Sequence, residues 1–488
     1  MSSSQQAPAR QEGVLPSKVK WMFALDTFSQ QWGIAVTLIF MNMFMTNFLL
    51  MTPVIVAGIL TVGRLVDLAV SSVSGAIVQK GNLKTGPLRT WLVINGPLLA
   101  VGNLFIFLNP NVSPLMKIIL FTIGYCFRNL PQSFLITASN AMVAKVAGAN
   151  MTDRLALTAK KMQGINATAI ITSMLTVPLC SYFNSTIGNG RGYLIVSLAY
   201  CVIHTAAGII VYINLAPYDQ YDPHAKKVEG SAVNVKVTHM YADTFKNPQV
   251  WILMIAGLAA QTAMFTVSPL NAYYYTYVLG NINYMAIVTS VGAWLALGLA
   301  FVAPPFAKKL GKKNSFVVGY AGMCIGSAGI LFFSKGNFIL FFIFTIFNRV
   351  VLAPSGSVGI NMWGDAAEYQ LYKTGRDSRP FIMSLNSLMM KIGQLISSFT
   401  YAYVLQYCNF RALGPGRIEI DVDRLHSGQW GVLLSSYVII LICYICFGIN
   451  EQKSREYAEA NRKMLAERAA AAAAAAGAAA PAATAPAR

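Results

Sequence analysis

The sequence predicts an all-α membrane protein with twelve transmembrane helices in two six-helix halves, and three observations carry that prediction. Of 488 residues, 55% are hydrophobic and only 11% are charged, whereas soluble globular chains carry about 25% charge. The apolar residues form long runs, each near the roughly 20 residues that a hydrocarbon core requires. The 37 Lys and Arg, against 18 Asp and Glu, recur in short bursts between those runs. That is the pattern of the positive-inside bias. It is not the continuous basic face of a nucleic-acid binder, so no nucleic-acid partner is expected.

The runs lie near 21–50, 53–79, 90–108, 114–146, 160–183 and 192–215, then near 249–279, 282–307, 315–334, 337–365, 380–407 and 429–449. They divide the chain into an N-terminal tail over 1–20, a first bundle over 21–215, a central loop over 216–248, a second bundle over 249–450 and a tail over 451–488. Basic residues crowd alternate connections: Lys18 and Lys20, Lys80 and Arg89, Lys145 and Arg154, Lys226 to Lys246, Lys308 to Lys313, Lys373 to Arg379. Both termini and the central loop are therefore expected on the cytoplasmic side of a cytoplasmic membrane. A basic, Gly-containing turn follows the second run of each half, Lys80–Gly86 and Lys308–Lys313. Such a six-plus-six repetition is typical of secondary transporters, whose site lies at the midplane between the halves. The last segment reads as a short charged helix over 451–468, followed by an Ala-rich stretch, low in complexity and disordered at its end.

Enzyme motifs fail on inspection. Gly81-x4-Gly86 is followed by Pro87-Leu88, where a phosphate-binding loop needs Lys-Ser/Thr. The seven Cys are scattered through apolar runs and read as small buried hydrophobes. No enzyme activity, cofactor or metal is expected. The informative residues are the ionisable ones inside the runs, because a charge at the bilayer centre costs about 3 kcal/mol or more and faces a cavity or a partner. The second run carries Arg64, Asp67, Ser71 and Ser74 on one helical stripe, with Arg64 and Asp67 close enough to pair. The eleventh repeats the pattern with Ser384, Ser387, Lys391, Gln394 and Ser398. The fourth has Arg128, Asn129, Gln132, Ser133 and Asn140; the first has Asp26, Gln30 and Gln31. The tenth has Asn348 and Arg349, then Asn361, Asp365 and Glu368. These stripes are expected to converge on one wet cavity. Gly322-x3-Gly326 reads as a helix-packing motif, and Tyr273–Tyr275 with Tyr277 as a pocket wall or an interfacial belt.

Four stretches in order resemble the glycoside–pentoside–hexuronide:cation symporters, the melibiose permease-like family of the major facilitator superfamily. They are Gly86-Pro-Leu-Arg89-Thr-Trp91, Asp153-Arg154-x2-Leu157-x3-Lys161, Tyr275-Thr-Tyr-Val-Leu-Gly280, and Met362-Trp-Gly-Asp365-Ala-Ala-Glu-Tyr369 with Lys373-Thr-Gly375-Arg376 and Lys391. The resemblance spans residues 20 to about 450. It implies the major facilitator fold and secondary active transport, as a monomer, of a sugar or glycoside. It implies substrate contacts at Gln30, Gln31, Arg128, Asn140, Lys161 and Lys391, cation coupling at Asp67, Arg64 and Ser71, and gating at Asp365, Tyr369 and Arg376. The family's second cation-site acid is Ser71 here, and its helix-one acid falls at Gln30 or Gln31. The coupling ion is therefore expected to be H⁺ rather than Na⁺. Counting Arg64 as paired with Asp67, the remaining membrane cations outnumber the acids, so an anionic sugar such as a uronide or sulfonated hexose is expected. The rival readings are a lysolipid or other organic-solute carrier on the same fold, and a non-transporting sensor.

Overall fold

The computed structural model describes residues 15–80, 83, 85–147, 151–220, 246–356, 359–375, 379–414 and 417–478. Among the described residues there are fourteen α-helices: α1 (Ser17–Asn47), α2 (Pro53–Lys80), α3 (Arg89–Phe107), α4 (Pro114–Ala147), α5 (Met151–Ile187), α6 (Arg191–Asn214), α7 (Pro248–Tyr273), α8 (Asn283–Leu310), α9 (Lys312–Gly329), α10 (Phe338–Gly356), α11 (Gly359–Thr374), α12 (Arg379–Tyr407), α13 (Val422–Cys446) and α14 (Glu451–Ala478). Short π-helical turns, Tyr274–Val278 and Ile330–Ser334, extend α7 and α9. Eight helical stretches are long and apolar enough to cross a membrane. The helices α1, α4 and α12 carry the polar stripes, which dilute their hydropathy.

The tenth run is helical on both sides of residues 357 and 358, which lie outside the described residues; Asp365 and Glu368 fall on the second stretch, α11. Two expectations change. The last helix runs on through Ala478 rather than stopping near Arg468, because Ala has the highest helix propensity of any residue. The loop before α13 holds an antiparallel hairpin, β1 (Arg411–Gly414) with β2 (Arg417–Glu419). Arg376, residues 221–245 of the central loop, residues 479–488 and the side chains of Ser384 and Asn361 lie outside the described residues.

The packing is duplicated. In the first half α1 packs on α5 and α6, and α3 on α4 and α6; in the second, α7 packs on α12 and α13, and α9 on α10 and α13. The two halves then meet through α2 with α12, α5 with α8, and α1 with α7. This is the major facilitator arrangement. Close approach of α3 to α4 depends on Gly102 and Gly124: a Cβ on Gly102 would meet the Arg128 backbone nitrogen at 2.7 Å. In the second half Gly322 and Gly326 of α9 face Val351 and Asn348 of α10 in the same way.

The apolar cores of the two halves merge at one end. One apolar cluster mixes both halves, with Phe40, Phe44 and Met45 of α1 against Tyr273, Tyr274 and Tyr401. Tyr273 and Tyr274 are fully buried there, Tyr273 hydrogen-bonded to Thr46 and Tyr401, so they form a plug between halves rather than an interfacial belt. At the end where α1 begins, the cores are separate. Phe23, Val78, Leu135 and Met142 belong to one, and Leu253, Phe316, Trp363 and Leu385 to the other.

Gly102→Ala is expected to lower the detergent melting temperature, since overpacking a tight helix contact costs about 1–3 kcal/mol. Gly298→Ala, where a Cβ would meet nothing within 4 Å, is expected to leave it unchanged.

Candidate functional site

A cavity of about 330 Å³ opens between the halves. From α1 it takes Thr37 and Asn42; from α2, Arg64 and Asp67; from α4, Arg128, Asn129, Gln132 and Ser133; from α12, Lys391 and Gln394. The predicted stripes of α2, α4 and α12 thus do converge. Two further chambers share lining residues with it. One of about 300 Å³ between α1, α5 and α8 includes Gln31, Ile34 and Leu38. Another of about 480 Å³ within the second half shares Ser268 and holds Asn348 and Arg349.

The seam between α2 and α12 sets the charges. Lys391 Nζ lies 3.3 Å from Asp67 Oδ2 and donates to Ser71 Oγ. Ser133 donates to Asp67 Oδ1 at 2.7 Å. Arg64 does not pair with Asp67. It reaches across to donate to Ser397 at 2.8 Å and to Ser398. The expected pair along one helix gives way to contacts between halves because both residues project toward α12, where Lys391 and the hydroxyls stand directly opposite. Arg128 Nε donates to Thr37 Oγ1 at 3.0 Å, and its Nη1 donates to Asn129. The Asp67–Lys391 side chains keep 26% and 25% of their surface exposed. A wetted pair is breakable, since exposed pairs contribute up to about 1 kcal/mol.

Other predicted residues gather elsewhere. Lys161 donates to Ser139 at 2.8 Å and to Asn140 at 2.9 Å, and Ser139 donates to Asp26 Oδ2 at 2.6 Å. This network ties α1, α4 and α5 together, and none of its members lines the cavity. Gln30 is buried with its Nε2 lacking a hydrogen-bond partner. Asp365 accepts from Lys312 Nζ at 2.9 Å on each oxygen and from Ser454 at 2.7 Å. Tyr369 packs on Tyr457 of α14, ring centroids 5.4 Å apart. Asp365 and Tyr369 therefore join α11 to α9 and α14 within the second half, not to the first half.

The sequence reading missed Asp219 and His204. Asp219 is fully buried and accepts from the backbone of Leu88 at 2.8 Å and Arg89 at 2.7 Å and from Lys145 at 2.6 Å. It fixes the turn after α2. An acid just beyond the end of a span was the available signal. His204 is buried between Ser29 and Asn95, at 3.1 and 2.9 Å, and nothing in its apolar run marks it.

Comparison with known proteins follows the same line. The family described as MFS/sugar transport protein matches residues 28–451. The chain is similar to an uncharacterized symporter, YjmB, of Bacillus subtilis (strain 168), 24% identical over 79% of this chain and 82% of that protein. It is similar to the Isoprimeverose transporter of Lactiplantibacillus pentosus, 23% identical over 83% of this chain and 84% of that protein. Its fold resembles the crystal structure of a D-xylose-proton symporter, with a TM-score of 0.64 and 15% identity, covering 90% of this chain and 99% of that one.

Lys391→Ala is expected to abolish substrate uptake while leaving the melting temperature within a few degrees of wild type. Wild-type uptake by that variant would show that the seam pair is packing alone.

Proposed function

The chain belongs to the MFS/sugar transport protein family, and on that premise we propose that it carries an anionic sugar or glycoside across a cytoplasmic membrane by alternating access. The observation that supports this reading best is the charge of the shared cavity. Arg64, Arg128 and Lys391 line its central part and Arg349 its second-half chamber, against Asp67 as the carboxylate among the described lining residues. A cationic excess held away from bulk water favours a carboxylate or sulfonate, and Arg binds either in a planar, bidentate manner. The polar wall of Asn129, Gln132, Ser133 and Gln394 supplies donors and acceptors for sugar hydroxyls. A lysolipid would need a broad apolar chamber in their place. The basic bursts favour cytoplasmic termini, so the cavity faces the cytoplasm in this state. The working unit is a monomer in the bilayer.

Coupling rests on Asp67 with Lys391, and the ion is H⁺. Protonating Asp67 removes the negative partner of Lys391. The freed ammonium then favours an anionic ligand, so proton and substrate enter together. Na⁺ prefers several hard oxygen ligands, and Ser71 stands where a second acid would help.

Uptake in proteoliposomes, measured with a panel of neutral glycosides and hexuronides, tests the reading; no substrate-driven flux with any of them would favour the sensor. With an active substrate, uptake is expected to rise with an inward pH gradient at fixed Na⁺. Asp67→Asn is expected to retain exchange but lose accumulation against a gradient. Strict Na⁺ dependence would sink the proton assignment.

A further inference from the structure

We infer that the second-half chamber is a distinct substrate subsite in which Arg349 holds the carboxylate or sulfonate of an anionic pyranose; this rests on the sugar-carrier reading above. The chamber lies wholly within one half, walled by α7 to α10 and α13, and joins the central cavity at Ser268. Its volume of about 480 Å³ falls in the range of small-molecule sites.

Three features point to this occupant. First, Arg349 is the cavity cation left without a partner. Arg64 donates to two serines, Arg128 to Thr37 and Asn129, and Lys391 to Asp67 and Ser71. Among the described residues no carboxylate pairs with Arg349, whose electrostatic neighbours are the phenols of Tyr275 and Tyr437. Its side chain is exposed rather than packed away, so the guanidinium is free to meet a ligand, and a cation within a membrane-spanning helix favours an anionic partner. Second, the chamber's walls are aromatic, including Tyr320, Trp430 and Tyr437. Such faces stack against the apolar side of a pyranose ring, while a cation at the edge takes its charged substituent. Third, lining residues Gln261, Thr345 and Asn348 each have a buried side-chain oxygen without a hydrogen-bond partner. Sugar hydroxyls both donate and accept, so a chamber closing around a sugar would satisfy the amide oxygens and the hydroxyl alike.

The duplication of the fold strengthens the assignment. Arg128 of α4 and Arg349 of α10 occupy matching helices of the two halves, and each lies where a glycine of the preceding paired helix, Gly102 or Gly326, touches the arginine's backbone or its neighbour Asn348. The first-half arginine is committed to protein partners and orders the central wall. The second-half arginine is left for the ligand.

Competition in proteoliposomes tests this subsite. Inhibition constants for methyl β-D-glucuronide and methyl β-D-glucoside are measured against the same labelled substrate, in wild type, Arg349→Gln and Arg349→Lys. Wild type is expected to prefer the glucuronide. Arg349→Gln is expected to lower the glucuronide-to-glucoside preference by about tenfold or more, the scale of hydrogen bonds to a charged group. Arg349→Lys is expected to restore part of it, since charge returns without the planar fork. An equal rise of both constants, or an unchanged ratio, would overturn the subsite. Inhibition of the wild type by the glucoside alone would overturn the subsite and leave the sugar carrier standing. Absence of any flux would overturn both.

Discussion

The ion pair between Asp67 and Lys391 is the contact on which the arrangement of charges depends. It joins α2 of the first half to α12 of the second at the level of the central cavity. Without the lysine, Asp67 keeps Ser133 as its hydrogen-bond donor among the described residues; without the aspartate, Lys391 keeps Ser71. In a bilayer neither charge can turn to bulk solvent as it would on a soluble protein. The pair therefore ties α2 to α12 across the seam. It also frees Arg64 from its own-helix acid, so that Arg64 reaches the serines of α12. One contact thus decides the partners of two others.

Around that seam the chain is built twice and closed once. The repeated helix pairings give two rigid bundles whose glycine contacts leave little room for internal adjustment. What can change is the surface between them. At the end where α1 finishes, that surface is an apolar and tyrosine plug shared by both halves. At the other end each half has a core of its own. Rigid halves, one closed end and a wetted ion pair in the middle are the physical requirements for rocking about a fixed site. The latch of α11 to α14 through Asp365, Ser454 and Tyr457 stiffens the second half at the open end.

Much of this was legible in the sequence, and for identifiable reasons. Stripes of polar residues at helical spacing in apolar runs marked α2, α4 and α12, and all three face the cavity. That Lys391 would need an acid from another helix followed from its isolation in a long span. The partner of Arg64 was not legible, because intrahelical spacing says which residues can meet but not which stronger partner stands across a seam. Asn140 was read with the cavity from the polar stripe of α4 and Lys161 from the family resemblance, yet Asp26 and Ser139 draw both into a network of their own.

The asymmetry between the halves is the last consequence of the duplication. Two copies of one bundle would place equivalent cations on either side of the cavity, and both would compete for an anionic ligand. Here the first-half arginine is already tied to Thr37 and Asn129, and the seam lysine is neutralised by Asp67. For the anionic ligand proposed above, the electrostatic pull would then be directed to one side. A ligand held mainly by one half can leave when the bundles part, because only its weaker contacts to the other half must be broken. A site that gripped equally from both sides would resist the motion that releases its cargo. Divergence between two matching positions, one satisfied and one left open, is how a symmetric scaffold acquires a direction of grip.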